Sequence, residues 1–306
     1  MKIATWNINS IRARMESLLR WLQETAPDVV LLQETKCLEE QFPYEPIEDL
    51  GYNIAVFGQK SYNGVAILSK KPIEDVTKGL PGLESTEARY IEAVIGTVRV
   101  ASIYVPNGQD IGTEKFAQKL AFFKALQSHM AMLLSYGEQC VMGGDYNVAP
   151  TDADVYDPEK FQNRLLASPE ERAGFQSLLN AGMVDALRAQ FPEDASANRS
   201  FKNEARYTET QIKSDKRLQG PRDRSLQGVN EDPEVPQKSF GSFKNEARYY
   251  TWWDYRQGSF EKNHGLRIDH LLLSPQASDA LKSVGIDRDP RSWDKPSDHV
   301  PVWCHL

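Results

Sequence analysis

Three cysteines, Cys37, Cys140 and Cys304, stand far apart with no C-x-x-C among them, which points to neither a disulfide framework nor a thiolate zinc site. No apolar run approaches the ~20 residues that cross a bilayer, and the opening MKIATWNINS enters a strand pattern without the apolar stretch of a signal peptide. Positive charge is short: 36 Lys and Arg against 43 Asp and Glu, a net of -7. Such a chain does not hold a polyanion by bulk electrostatics, so contact with nucleic acid requires a local basic patch or a bound metal. The G-x-x-x-x-G-K-[ST] loop, the dinucleotide glycine fingerprint and the G-x-S-x-G elbow are missing too. What remains is 306 residues, 40% hydrophobic and 26% charged, the make-up of a soluble globular enzyme, expected in the reducing cytoplasm.

The pattern of elements is informative. KIATWN reads as a short strand, followed by an amphipathic helix over about 11 to 24 that Pro27 ends. DVVLLQE is a continuous apolar run, as in a strand buried on both faces. YNIAVFG and NGVAILS read as paired strands, and YIEAVIGTVRVASIYVP as a hairpin turning at Gly96-Thr97. A long amphipathic helix is expected from Glu114 to Leu134, before a strand in CVMGGDYN. SPEERAGFQSLL carries a capping box, with Ser168 as N-cap, Pro169 at N1 and Glu171 at N3. YTWWDY, LRIDHLLLS and VPVWCHL supply later strands, with a helix near 276 to 283. Helices interleave with strands, yet several neighbouring strands are joined by hairpins. That mixture favours an α/β fold of two mixed β-sheets packed face to face with helices outside, over a purely parallel sheet or barrel.

SFKNEARY occurs at 200–207 and again at 242–249. Two copies of eight residues do not make a solenoid. The stretch between them is rich in charge, Pro and Gly and cannot bury enough apolar surface to order itself. It reads as a flexible insertion, at about 200–248, in a single domain spanning 1–306. Its first half, with Lys213, Lys216, Arg217, Arg222 and Arg224, is the more basic half and is expected to brush a nucleic acid partner.

Polar residues gather where strands end. Asn7 and Asn9 lie two apart; Glu34 closes VVLLQE; Asp145 and Asn147 follow CVMGG; Asp269 interrupts LRIDHLLL; Asp298 and His299 precede the last strand. Each has a plain structural reading alone: turn formers, a solvated strand end, a turn aspartate, a loop pair. Asp269 resists it, because a carboxylate inside an apolar strand needs a partner. His299 is the natural one, since a carboxylate on one ring nitrogen frees the other for work. Strand ends are where layered α/β folds collect ligand and catalytic groups. The set is oxygen-rich, with one histidine and no thiol, which suits Mg2+ or Mn2+ rather than zinc. A carboxylate-bound divalent ion beside a histidine and amides suits hydrolysis of a phosphate ester.

WNINSIRAR, LLQETK, YNGVAIL, SIYVPNG, GGDYNVAPTD, GLRIDHLL and KPSDHVPVW resemble, in that order, the motif series of the exodeoxyribonuclease III branch of the endonuclease/exonuclease/phosphatase superfamily. The resemblance covers the chain except about residues 200–248. It implies a four-layer α/β sandwich and a Mg2+-dependent DNA repair nuclease, with Mn2+ as a substitute. Such an enzyme acts as a monomer on duplex DNA, incising 5′ of abasic sites and trimming 3′ ends. It implies Glu34 as principal metal ligand, with Asn7 and Asp298 close by and Asn9 farther out. Asp145, Asn147 and His299 are its second or alternative metal site. Asp145 would orient or deprotonate the attacking water, Asn147 would hold that water or the phosphate, and Tyr104 would sit at the phosphate. His299, held by Asp269, would stabilise the pentacovalent transition state. Asn107, Arg12, Lys36 and Arg256 would contact DNA, and Trp252, Leu266 and Ile268 would line a pocket for a flipped-out abasic sugar.

Two readings of the general base stay open in the sequence, Asp145 and His299, since an ordinary aspartate is a weak base at neutral pH. A non-catalytic DNA-binding module would leave the assembled carboxylates and histidine unexplained. A phosphatase of lipid or small-molecule phosphates would want a membrane-docking hairpin or aromatic loop, which the sequence does not show.

Overall fold

The structure, a computed structural model, describes residues 1–192 and 249–306. The expected insertion at 200–248 and its basic half therefore lie outside the described residues.

Two six-stranded sheets are built on one plan, with orders β11-β12-β1-β2-β4-β3 and β5-β6-β7-β8-β10-β9. In the first, β1 (Lys2–Asn7) runs parallel to β2 (Val29–Gln33), joined by the helix Met15–Thr25. Outside this pair lie β4 (Val65–Ser69), β3 (Asn53–Phe57), β12 (Val302–His305) and β11 (Ser283–Ile286), all antiparallel to their neighbours. In the second, β7 (Val98–Tyr104) runs parallel to β8 (Gln139–Asp145), joined by the helix Glu114–Leu134. There β6 (Tyr90–Ile95), β5 (Glu74–Lys78), β10 (Asp269–Leu273) and the two-residue β9 (Val184–Asp185) pair antiparallel.

Alternation along β2 shows how the layers form. Val29 and Leu31 enter the core between the sheets with Ile3, Ile67, Val100, Val141 and Leu271. Val30 and Leu32 pack on the other face with Leu18, Trp21 and Leu22 of the first helix. The second sheet is covered likewise: Phe122, Leu126 and Met130 with Phe175 and Leu178 lie on Ile103, Met142 and Leu272. Both faces of each sheet are thus apolar, giving helix, sheet, sheet, helix. Each fully buried Leu or Ile contributes about 1.5–3 kcal/mol.

The structure departs from the sequence expectations in identifiable places. The first helix begins at Met15 rather than near 11, because residues 11–14 form a turn that ends at Arg14 in non-helical geometry (φ -117, ψ 20). YTWWDY forms isolated bridges only, Trp252 to Leu266 and Trp252 to His299. The ladder in LRIDHLLLS starts at Asp269, since Leu266 pairs with Trp252 and Val155 instead. The expected helix near 276 to 283 is a single turn, Pro275–Asp279, followed by β11. The capping box at Ser168 is formed in both directions, and the hairpin turns between Ile95 and Val98.

Candidate active site

Strand direction decides where chemistry can gather. Two parallel strands end at the same edge, so β1 and β2 deliver Asn7 and Glu34 together. By the same rule β7 and β8 deliver Tyr104 opposite Asp145. Antiparallel β10 begins at that edge, placing Asp269 opposite Asp145. Asp298 and His299 enter just before β12, where the Trp6 indole donates to the His299 carbonyl (3.1 Å).

Asp145, Asp269 and His299 are all but sealed, at 1%, 1% and 4% exposure. His299 Nδ1 lies 2.9 Å from Asp269 Oδ2, and its Nε2 points at Asp145 Oδ2 across 3.8 Å. The Asn7 amide nitrogen donates to Glu34 Oε1 (2.9 Å) and Asp145 Oδ2 (3.0 Å), bridging the carboxylates of the two sheets. Asn147 donates its backbone N–H to Asp145 Oδ1 (2.9 Å) and its side-chain amide to the Val105 carbonyl (2.9 Å). Burial and then the Glu34 charge push the Tyr104 phenol well above its ordinary range, and the Arg89 guanidinium lies 4.7 Å from the Tyr104 ring centroid. Asn9, Glu34, Lys36 and Asn147 all hold positive φ. Uncommon backbone geometry of this kind, costing about 1–3 kcal/mol each, clusters at functional sites.

The electrostatics follow from burial and crowding. Burial pushes Asp145 up to about 7; the His299 charge opposes this, while Asp269 and Glu34 add to it. Burial works against a charged His299, but Asp269 and then Asp145 outweigh it and raise the imidazole to about 10. Burial also opposes ionisation of Glu34, yet the Lys36 ammonium at 2.7 Å and the Asn7 amide hold it below the usual carboxylate range. Asp298 is likewise lowered despite burial, by the His299 charge and by donation from Asn9 (2.8 Å) and the Trp252 indole (3.0 Å).

Two groups of side chains offer donors to a divalent ion. Ligand atoms of Asp145, Asp269 and His299 lie within 4.8 Å of one another, but there the imidazole is already engaged by Asp269. Glu34, Asn7 and Asp145 fit better. They are hard donors, partly open through Glu34 at 17% side-chain exposure, and the Asn7 amide donor stands between two carboxylates where a cation's charge would serve. Rotating that amide would present its oxygen, at the loss of the hydrogen bond (3.1 Å) that the Asn9 N–H donates to it. Asp298 is one step removed, since both its oxygens accept from Asn9 and Trp252.

The remaining expected residues are distributed unevenly. Asn107 donates to the Asn147 side-chain oxygen (3.2 Å) and is exposed at the rim. Lys36 is drawn inward, onto Glu34 (2.7 Å) and Asn9 (2.6 Å). Arg12 is exposed, while Arg256 is 83% exposed and paired with neighbouring Asp254 at 2.7 Å. Trp252, Leu266 and Ile268 share one apolar cluster with Ala149, Val155 and Ala167; Leu266 and Ile268 are sealed, and Trp252 is half-buried. Tyr255, not singled out from sequence, donates to the Pro296 carbonyl (2.9 Å) and accepts from Arg14 (3.1 Å), tying the Asp298 loop to the β1 exit.

The model of the Endonuclease/Exonuclease/phosphatase family matches residues 4–299. The chain belongs to that family. Among its relatives, exodeoxyribonuclease III of Haemophilus influenzae is 31% identical over 318 residues, covering 100% of both chains. Among solved structures of the family, a 3′ phosphatase from Neisseria bound to a product DNA hairpin superposes with a TM-score of 0.80. It is 34% identical, with 100% of this chain and 99% of that chain covered. An AP endonuclease from Archaeoglobus fulgidus also gives a TM-score of 0.80, at 31% identity and with 100% and 99% covered. The two-sheet sandwich is the architecture of this family, and no described helix is long and apolar enough to cross a membrane.

Proposed function

We propose that this family member is a divalent-metal-dependent phosphodiesterase of duplex DNA, incising 5′ of abasic sites and trimming 3′ ends. Its relatives are a nuclease, a 3′ phosphatase and an AP endonuclease, and the enzyme class is accordingly a nuclease-type hydrolase. The observation that carries the reading is the buried series Asp269–His299–Asp145, which closes on Asn7, Glu34 and Asn147 at the shared edge of both sheets.

In this reading His299, raised to about 10 by the carboxylates around it, is an imidazolium at neutral pH. It therefore donates to a phosphate oxygen and stabilises the charge of the pentacovalent transition state. A group so protonated is a poor base. Asp145, pushed to about 7 by burial, is the better proton acceptor for the attacking water, which favours it over His299 as the base. Asn107 at the rim would turn its amide from the Asn147 oxygen to the phosphate, Asn147 holds Asp145 through its backbone N–H, and Tyr104 stands beside Glu34 as a hydroxyl donor. Glu34 and Asn7, with Asp298 behind them, would hold Mg2+ or Mn2+. The ion would supply charge neutralisation at the phosphate and a Lewis acid for the leaving oxygen. Trp252, with Leu266 and Ile268 beneath it, offers a dry wall to a baseless sugar.

The test is a duplex carrying one tetrahydrofuran abasic site, incubated with Mg2+ or with EDTA and resolved on a denaturing gel. The expected product is a metal-dependent nick immediately 5′ of the lesion, lost in His299→Ala. Stepwise shortening from the 3′ end without the nick would make the protein an exonuclease only. No product under either condition would sink the reading.

A further inference from the structure

Lys119 has no part in the chemistry described above, yet it lies directly behind it. It sits on the inward face of the helix Glu114–Leu134, fully buried among Phe116, Phe122, Phe123 and Leu126. A bare ammonium in that setting would be costly. Here it has three acceptors: the Asn107 carbonyl at 3.1 Å, the Asn147 carbonyl at 2.7 Å and the Glu171 carboxylate. An ammonium offers three donors and no acceptor, so the set is complete.

The three acceptors come from three segments: the loop after β7, the loop after β8 and the first turn of the helix Pro169–Asn180. Glu171, also fully buried, accepts in turn from the backbone N–H groups of Leu166 and Ser168, each at 3.0 Å. Leu166 and Ala167 pack in the cluster of Leu266, Ile268 and Trp252. Asn147 holds φ 51, a conformation its surroundings must impose. Gly108 (φ +94) lies on the lysine stem so closely that a Cβ there would sit 3.2 Å from Lys119 Cδ.

We infer that Lys119, charge-balanced by Glu171, is a positioning residue that fixes the backbones of Asn107 and Asn147, and with them the linked amides (Asn107 donating to the Asn147 oxygen, Asn147 to the Val105 carbonyl) beside the substrate phosphate. The inference rests on the phosphodiesterase reading for the identity of that substrate. Lys119 touches no reacting atom and acts through the two asparagines. A methionine of similar length would fill the space but leave two buried carbonyls without donors.

The test compares wild type with Lys119→Met and with the double variant Lys119→Met/Glu171→Gln, in which no charge is left unpaired should the single variant fail to fold. Side-chain amide NMR signals of Asn107 and Asn147 are followed against that of Asn53, which is held remotely by the Ser69 and Lys71 carbonyls. The signals of Asn107 and Asn147 are expected to shift while Asn53 stays. On the abasic duplex kcat falls roughly 10- to 100-fold with KM within about twofold. Adding Asn147→Ala to the double variant then costs clearly less than Asn147→Ala does in wild type, since effects carried through one residue are not additive. Unmoved amide signals, or kcat losses that multiply, would overturn the inference. A wild type inactive on DNA would count against the phosphodiesterase reading alone, and the amide signals would still decide the positioning.

Discussion

Asp269 opens β10, followed by His270 and three leucines, and its 2.9 Å contact with His299 Nδ1 supplies the partner such a carboxylate needs. In the proposed reaction the active form of His299 is protonated, so activity persists below its pKa and is lost as pH rises through it. Because Asp269 holds the imidazole up toward about 10, Asp269→Asn moves the alkaline limb of the pH–rate profile to lower pH. It also lowers the rate at neutral pH by about 100-fold or more. An alkaline limb that stays in place in the variant would remove His299 from the acid role. The sequence made this pair legible through its chemistry, a charge where apolar residues belong. Lys119 carries a similar signal: with Phe116 and Phe122 at three-residue spacing it falls on the buried face of its helix. Arg256, expected at DNA, shows the opposite. Its place beside YTWWDY gave no hint that Asp254, two residues back, would claim its guanidinium.

At the scale of the element, most strands were readable because apolar runs and alternation report burial. The exceptions have physical reasons. β5 is EDVTK, an edge strand whose Val76 is 43% exposed, so no apolar period marks it. β11 is SVGI, four residues that owe their pairing to β12 rather than to their own pattern. The two glycines of CVMGGD carry a requirement that a turn-like reading of GG hides. Both lie inside β8, and a Cβ on Gly143 would come within 2.7 Å of Leu31 Cδ1 from the facing sheet. On Gly144 it would sit 1.9 Å from the Ile103 carbonyl oxygen, in the parallel neighbour β7. Backbone cannot yield as a side chain can, so Gly144→Ala should cost about 3 kcal/mol or more in chemical denaturation. Gly137→Ala is the control, with φ +71 but nothing within 4 Å, and should cost only about 1–2 kcal/mol. Equal losses at the two positions would mean that β7 and β8 are not packed so closely.

At the scale of the molecule, two sheets of the same plan meet so that the exit ends of their parallel pairs share one edge, and this concentrates negative charge. Glu34, Asp145, Asp269 and Asp298 gather there in a chain whose net charge is already -7, against Lys36 and the His299 imidazolium. The surplus is visible in Asp145, which burial and two neighbouring carboxylates raise to about 7, so near neutrality it is partly protonated. A dication that binds Glu34 and Asn7 favours the ionised form of Asp145 and lowers its pKa. Mg2+ binding at pH 7 should therefore release protons, and less in Asp145→Asn, which has no carboxyl proton to give. Calorimetric titration in buffers of different ionisation enthalpy reads this directly. The same binding stabilises the fold, by about 2.7 kcal/mol at a ligand concentration 100 times Kd, and Glu34→Gln should abolish both the stabilisation and the proton release. Proton release at pH 7 that is unchanged in Asp145→Asn would separate Asp145 from the metal site. Stabilisation that survives Glu34→Gln would place the ion elsewhere, with the Asp145–Asp269–His299 group as the next location to test.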